Sequence, residues 1–336
     1  CEHARPAVHQ GGAVYALQEV RFGPAALLGA ARWDVMRISP LDSTETRLLR
    51  GVRTREFSAV TGALGLRVQA QRHLSVGLNL TRAFRPPAIE ELFSAGPHLA
   101  SYAYEIGNPD LEAETGTGLD LIIEWRSPSL AAQVTLFQNT LQNFIGYLPV
   151  VDPESGEPVR DPRLRRYNVY GADQADARFI GGEASLTLPL ARALELRATG
   201  SWVRGSWTAD GSPLPAVPPA RARLSVERDV PRWFAKVTLE GVARQDRVPE
   251  APVQAGSCDA SAGVESLLPA EFCPTAGVLL THAEVGLRLE VGGVPWTLVL
   301  AADNLFDRQW RDHLWRAKQV APQPGRNIRF FLTARP

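Results

Sequence analysis

The chain has 336 residues with 36 basic and 36 acidic side chains, so its formal net charge is zero. This balance removes the electrostatic basis for bulk binding to nucleic acid. Hydrophobic residues make up 45% of the chain, a share that is ordinary for a folded protein and excludes disorder throughout. No apolar run approaches the ~18 residues of a membrane-spanning helix. Membrane-spanning strands are not excluded, because their alternating pattern leaves no hydropathy peak.

Alternation of apolar and polar residues with period two runs through most of the chain. Residues 281–291 place Thr, Ala, Val, Leu, Leu and Val on one face and His, Glu, Gly, Arg and Glu on the other. The same pattern recurs in 64–70, 119–126, 233–246 and 327–335. Strict alternation over such lengths predicts strands that lie between two different environments.

Thirteen strands are predicted in this way. Most reach the ~9–11 residues that a tilted membrane-spanning strand needs, whereas strands of soluble sheets average ~5–6. The predicted strands span residues 13–22, 25–37, 55–70, 73–83, 116–126, 130–147, 174–188, 193–206, 220–228, 233–247, 278–291, 295–303 and 325–335.

Short and long connections alternate between these strands without exception. The short ones are tight turns such as Gly23-Pro24. Outer-membrane barrels separate short periplasmic turns from long extracellular loops in this way, and a soluble sandwich or propeller has no such requirement. The sequence therefore predicts an all-β protein, a transmembrane antiparallel β-barrel. Because bacterial single-chain barrels have an even strand number, thirteen strands predict further strands upstream. The long connections span residues 38–54, 84–115, 148–173, 207–219, 248–277 and 304–324.

Two of the three cysteines lie close together in a Gly-, Ser- and Pro-rich stretch. Cys258 and Cys273 are candidates for a disulfide that closes a loop, and two unpaired thiols are the alternative. A disulfide here indicates an oxidising compartment.

Two separated motifs resemble the TonB-dependent outer-membrane receptors. Residues 80–93 read LTRAFRPPAIEELF and are followed by GNPDLEAE at 107–114. Near the end, DNLFD at 303–307 and PGRN at 324–327 resemble the tail of the same family. In this stretch Pro86-Pro87 ends a strand and suits the first turn of a short helix whose Ile89, Leu92 and Phe93 share a face. Asn108-Pro109-Asp110 reads as a turn, so both motifs are predicted to be structural.

The resemblance implies a 22-stranded barrel with a plugged lumen in the outer membrane of a Gram-negative bacterium. Such a receptor binds a scarce nutrient outside the cell and imports it with energy from the TonB complex. We expect residues 1–336 to be the C-terminal portion of this barrel, about thirteen strands without a separate plug domain. The implied partners are outer-membrane lipid, the TonB complex through the missing N-terminal part, and the barrel assembly machinery. Nucleic acid is not a partner, and the barrel is expected to be a monomer.

One long loop carries an imidazole, two phenols and a carboxylate, from His98, Tyr102, Tyr104 and Glu105. A His-bearing loop at this point resembles the zinc-uptake branch of the family, which implies His98 and Glu105 as metal ligands. Neutral imidazole and carboxylate suit zinc. Two ligands do not complete a site, so a further ligand is expected from another loop or from the plug. The candidates within this chain are His282 and His313.

A flat ligand such as haem or a catecholate siderophore is the alternative cargo. Its rings would stack on aromatic side chains and its carboxylates would pair with arginines. No intrinsic cofactor is expected. A passive porin or adhesin and an outer-membrane hydrolase are the other classes, and no GxSxG, HExxH or phosphate-binding loop supports the hydrolase. The candidate side chains are Tyr102, Tyr104, Trp310 and Trp315 for stacking, and Arg85, Arg311 and Arg316 for ion pairs.

Overall fold

A computed structural model describes residues 5–45, 49–98, 103–155, 158–161, 167–250, 257–258 and 268–335. Tyr102, one of the candidate ligand residues, lies outside this part of the chain. The described residues form fifteen strands, one α-helix and a short 3-10 helix at Ala270–Phe272. The strands and the helix are β1 (Ala7–Phe22), β2 (Ala25–Pro40), β3 (Arg55–Gln71), β4 (Leu74–Arg85), α1 (Ile89–Phe93), β5 (Ala95–His98), β6 (Ala103–Ile106), β7 (Glu114–Ser127), β8 (Leu130–Pro149), β9 (Asn168–Ala191), β10 (Leu194–Trp207), β11 (Arg221–Val230), β12 (Trp233–Val242), β13 (Val278–Val291), β14 (Val294–Asp303) and β15 (Asn327–Ala334).

Thirteen of these strands form one continuous antiparallel sheet in chain order, from β1 to β15 and without β5 and β6. All thirteen predicted strands are present. The prediction for β12 was too long at its end, because the chain leaves the sheet after Val242 and makes only an isolated bridge from Gln245 to Thr275. Among the described strands, β1 and β15 form the two edges of the sheet.

The alternation of short and long connections is confirmed. Six pairs of neighbouring strands, beginning with β1 and β2, are joined by turns of only two residues, and all six turns lie at the same end of the sheet. At the turn before β14, Gly292 has a φ of 61° and Gly293 a φ of 78°. Two consecutive positive φ angles match the twist of a tight hairpin and favour glycine. The long connections consequently all lie at the opposite end.

The two faces of the sheet differ as the alternation predicts. Apolar side chains on one face remain exposed, for example Leu64 (53%), Leu136 (49%) and Leu300 (49%). The other face carries ion pairs that cross strands, such as Arg67 with Glu124 at 2.9 Å. A soluble sandwich would bury the apolar face, whereas a barrel in lipid turns it outward. Among the described residues, none of the helices has the length and hydropathy of a membrane span.

The main buried core lies at the end with the long connections. It gathers residues from several connections and from the adjoining strand ends. The helix α1 contributes Leu92 and Phe93, both fully buried, while Ile89 packs against the same cluster, as the sequence predicts. The helix begins at Ile89, two residues after the proline pair, so the prolines precede it instead of forming its first turn. The core residues are Ile38, Leu49, Val52, Phe57, Leu92, Phe93, Leu111, Ile145 and Ala172.

Gly107, in the turn motif, touches the backbone of α1. A Cβ atom at this position would lie 2.6 Å from the carbonyl carbon of Leu92 and 2.6 Å from the backbone nitrogen of Phe93. The Gly107 N–H also donates to the carbonyl oxygen of Ser94 at 2.8 Å. The motif is therefore structural, as predicted, because only glycine permits this approach.

We expect Gly107→Ala to destabilise the protein by about 1–3 kcal/mol, because the added methyl group must push two backbone segments apart. Urea unfolding of the full-length protein in lipid vesicles measures this loss. Gly12→Ala is the matched control, since a Cβ atom there meets nothing within 4 Å. Equal midpoints for both variants would show that the helix contact tolerates a side chain.

Candidate functional site

Arg85, the last residue of β4, links α1, β7 and β8 at the end of the sheet that carries the long connections. Its guanidinium donates to both carboxylate oxygens of Glu114, each at 2.6 Å, and to Glu91 of α1 at 2.8 Å. Glu114 also accepts the backbone N–H of Ile145 in β8 at 2.7 Å. Arg85 therefore holds α1, β7 and β8 around the end of β4. The pairing of Arg85 with a ligand carboxylate stays a prediction. In the structure, Arg85 bonds two carboxylates of the protein, those of Glu114 and Glu91.

His98 and Glu105 face each other across a short hairpin formed by β5 and β6. His98 pairs with Ala103 and Gly96 pairs with Glu105 in the register, so the two side chains are diagonal neighbours on one face. His98 Nδ1 lies 3.1 Å from Glu105 Oε1. The Glu105 side chain is 7% exposed and that of His98 is 39% exposed. The structure thus brings the two predicted metal ligands together.

The hairpin is fixed to the sheet by parallel pairing of β6 with β9, in which Glu105 lies beside Tyr170. Arg316, from the connection between β14 and β15, enters the same space. Its Nη1 lies 3.1 Å from Glu105 Oε1, and its Nε lies 3.4 Å from Glu271 Oε1. The guanidinium carbon also lies 4.9 Å above the Tyr170 ring, a distance typical of a cation–π contact.

Tyr170 closes this arrangement, since its hydroxyl donates to Glu271 Oε2 at 2.9 Å. We name His98, Glu105, Tyr170, Glu271 and Arg316 the Arg316 cluster. Sequence reasoning missed Tyr170 and Glu271, because neither stands in a motif. The one available signal for Glu271 was its place two residues before a cysteine.

Cys258 and Cys273 form a disulfide in the structure, with a sulfur–sulfur distance of 2.02 Å. Cys273 is buried directly after the 3-10 helix that carries Glu271. Gln319 donates its side-chain amide to Cys273 Sγ at 3.2 Å and to the carbonyl oxygen of Leu268 at 2.8 Å. The disulfide-bonded segment and the last long connection are therefore packed together near Arg316.

The remaining candidates lie in other surroundings. The Tyr104 hydroxyl donates to the carbonyl oxygen of Ala95 within the hairpin, at 3.2 Å. Trp310 is half-buried in the last long connection. His282 lies in β13 on the polar face of the sheet, between Asp303 at 3.4 Å and Glu240 at 3.7 Å. Among the described residues, no three His, Cys, Asp or Glu side chains form a group that could hold a metal ion.

His313 is buried with Lys318, which is 2% exposed. Lys318 Nζ lies 3.3 Å from His313 Nδ1 and donates to the His313 carbonyl oxygen at 3.0 Å, while Thr275 Oγ1 lies 3.2 Å from the same imidazole nitrogen. Burial lowers the pKa of Lys318 to about 8. Burial and the Lys318 charge lower the pKa of His313 to about 4. Above about pH 8, the His313 imidazole and the Lys318 amine are therefore both mostly uncharged in the folded protein.

The low pKa of Lys318 predicts that the protein becomes more stable as the pH rises from about 8. Between that value and the ordinary pKa of 10.5, the unfolded chain binds a proton that the folded chain has lost, so the free energy of unfolding increases with pH. Urea unfolding at pH 8 and pH 10 measures the rise. Lys318→Met should abolish it. Lys236→Met, at the chain's only other lysine, should retain it, and a rise unchanged in Lys318→Met would contradict the assignment.

Comparison with known proteins adds a family to this architecture. The model of the family described as TonB dependent receptor-like, beta-barrel matches residues 5–305. The chain belongs to this receptor family. This membership confirms the predicted location of the protein in the outer membrane of a Gram-negative bacterium. Membership in a family of receptors agrees with the prediction that the chain is not an enzyme.

Solved receptors share the fold of this TonB-dependent receptor barrel. A structure described as the copper transporter OprC matches with a TM-score of 0.76 and 22% identity, over 98% of this chain and 48% of the other. The FrpB iron transporter from Neisseria meningitidis matches with a TM-score of 0.65 and 16% identity, over 98% and 46%. The ferripyoverdine receptor of Pseudomonas aeruginosa matches with a TM-score of 0.68 and 14% identity, over 98% and 38%.

This TonB-dependent receptor chain therefore spans about half the length, or less, of the solved structures that it matches. The all-β antiparallel sheet corresponds to part of a receptor barrel, as predicted. The family match does not single out the zinc-uptake branch.

Proposed function

We propose that the protein is an outer-membrane receptor that captures a metal ion or metal chelate outside the cell and imports it with energy from the TonB complex. The observation that carries this proposal is the family match over residues 5–305. The solved structures of similar fold include proteins described as transporters of copper and iron and a siderophore receptor. In the full-length receptor, a plug domain and further strands would complete the barrel, and the barrel assembly machinery would insert it.

Within this function we propose a divalent transition-metal ion, such as zinc, as the cargo. The support is the contact between the His98 imidazole and the Glu105 carboxylate at 3.1 Å. Nitrogen and oxygen ligands of this kind suit zinc and copper better than calcium or magnesium, which prefer oxygen alone. The remaining ligands would come from another loop or from the plug of the full-length receptor.

The alternative cargo is haem or a ferric siderophore. Its support is the positive charge in the last long connection, where Arg311 is exposed and Arg316 is partly buried. Carboxylate or catecholate groups of a chelate would pair with such guanidinium groups. A passive porin is disfavoured by membership in the TonB-dependent receptor family.

We expect His98→Ala to weaken zinc binding by the full-length receptor at least tenfold, because one nitrogen ligand is lost. Titration of the refolded receptor with zinc, copper and haem measures the affinities. His73→Ala is the matched control, since His73 lies in the two-residue turn between β3 and β4, at the opposite end of the sheet. Undiminished affinity for zinc and copper in His98→Ala would remove this site. Binding of haem alone would favour the chelate.

A further inference from the structure

We infer that Arg316 is a specificity-determining residue of the metal site: its guanidinium and an incoming metal ion compete for the carboxylate of Glu105. Capture of the ion then separates the last long connection from the β5–β6 hairpin. This inference rests on the proposed function, because it concerns the same His98 and Glu105 pair. Arg316 would thus both select the ion and couple its binding to the separation of the two loops.

The competition follows from a shared oxygen. Arg316 Nη1 and His98 Nδ1 each lie 3.1 Å from the same atom, Glu105 Oε1. A zinc ion bound by His98 and Glu105 would lie about 2.0–2.2 Å from a carboxylate oxygen. At that distance the ion takes the place of the guanidinium and repels it. The repulsion is strong because the Glu105 side chain is only 7% exposed and water screens the charges little.

Arg316 has a second site of attachment that makes the exchange possible. Its Nε contacts Glu271, and its guanidinium carbon lies 4.9 Å from the centre of the Tyr170 ring, whose hydroxyl itself donates to Glu271. When Arg316 releases Glu105, its charge therefore remains paired. Arg316 is partly buried, with 28% of its side chain exposed, so loss of its only counter-ion would be unfavourable, and the contact with Glu271 prevents that loss.

The same arrangement decides which part of the structure moves. Arg316 and Gln319 belong to one connection, and Gln319 bonds the disulfide-bonded segment through Cys273 and Leu268. Arg316 is thus anchored on the side of Glu271. The ion pair from Arg316 to Glu105 joins this side to the hairpin, so its loss loosens the contact between the two loops.

Displacing a guanidinium from a carboxylate also sets a requirement on the ion. A monovalent ion offers Glu105 no more charge than Arg316 already does, and magnesium or calcium gains little from the imidazole of His98. A divalent ion with affinity for nitrogen satisfies both conditions. Arg316 therefore excludes the common ions of the medium.

Two substitutions with opposite expected effects test this inference. Arg316→Gln removes the competing charge, so we expect zinc affinity of the full-length receptor to rise at least tenfold and magnesium binding to become measurable. Glu271→Gln removes the second attachment, so Arg316 holds Glu105 more tightly and zinc affinity should fall at least threefold. Arg316→Lys keeps a positive charge and should stay closer to the native affinity than Arg316→Gln. Circular dichroism verifies the folding of each variant.

Hydrogen exchange of residues 95–98 and 103–106 supplies a second readout. Zinc should raise the exchange of this hairpin in the native receptor, whereas in Arg316→Gln the exchange should already be high without zinc. Arg288→Gln is the control, because Arg288 pairs with Asp229 near the two-residue turns. Unchanged or weaker zinc binding in Arg316→Gln, beside zinc binding by the native protein that depends on His98, would overturn the inference alone. Absence of zinc and copper binding in every variant would overturn the proposed metal cargo with it.

Discussion

Replacement of Leu136 by arginine is expected to destabilise the protein by about 2–4 kcal/mol, the cost of a charged side chain near the middle of a lipid-facing strand. Leu136 lies on the apolar face of β8, and its side chain is 49% exposed. A leucine side chain exposed to lipid carries no free-energy penalty, whereas a guanidinium group at the same place loses its hydration. Urea unfolding of the full-length protein in vesicles measures the difference.

Thr135→Arg is the matched control at the next residue of the same strand. Thr135 points to the opposite face and lines an open cavity of about 360 Å³, whose lining includes the charged residues Glu183 and Arg223. An arginine there stays in contact with water, so we expect a loss below about 1 kcal/mol. Similar losses at both positions would contradict the assignment of the two faces to lipid and lumen.

Arg85→Met is expected to destabilise the protein by about 2–3 kcal/mol, because it removes charge-assisted hydrogen bonds to a nearly buried carboxylate. The Glu114 side chain is 9% exposed, and Arg85 supplies both of its short side-chain contacts at 2.6 Å. Without Arg85, that carboxylate stays buried beside α1 with only the backbone N–H of Ile145 as a remaining donor among the contacts described above. The same unfolding measurement in vesicles applies.

The control for this prediction is Arg37→Met. Arg37 pairs with Glu56 at 3.3 Å, but both side chains are more than half exposed. Exposed ion pairs contribute less than about 1 kcal/mol. A loss in Arg85→Met as small as that in Arg37→Met would show that the motif arginine does not hold the long connections in place.

The strands could be predicted because their signal is local. A side-chain period of two is visible in any ten residues, and β13 was predicted at 278–291 and found at Val278–Val291. The two-residue turns could also be located, since a pair of glycines such as Gly292 and Gly293 indicates a tight hairpin. Helix α1 was predicted from its apolar face, which indeed lies in the core.

The hairpin of β5 and β6 could not be predicted in the same way. Residues 95–98 read AGPH, which contains Gly and Pro and no alternation. These strands form because β6 pairs in parallel with β9, more than sixty residues later in the chain. Pairing over such a separation depends on how the whole loop folds back onto the sheet, and the local sequence does not contain that information.

The sequence by itself determined the all-β architecture, the alternation of short and long connections and the family, because periodicity and motifs are properties of neighbouring residues. It also placed His98 and Glu105 in one loop. Only the tertiary structure joined Glu105 to Arg316, which lies 211 residues away, and placed Glu271 on the other side of that guanidinium. Ion pairs between loops depend on where the ends of distant strands meet. That meeting is fixed by the register of the sheet and by the packing of the connections.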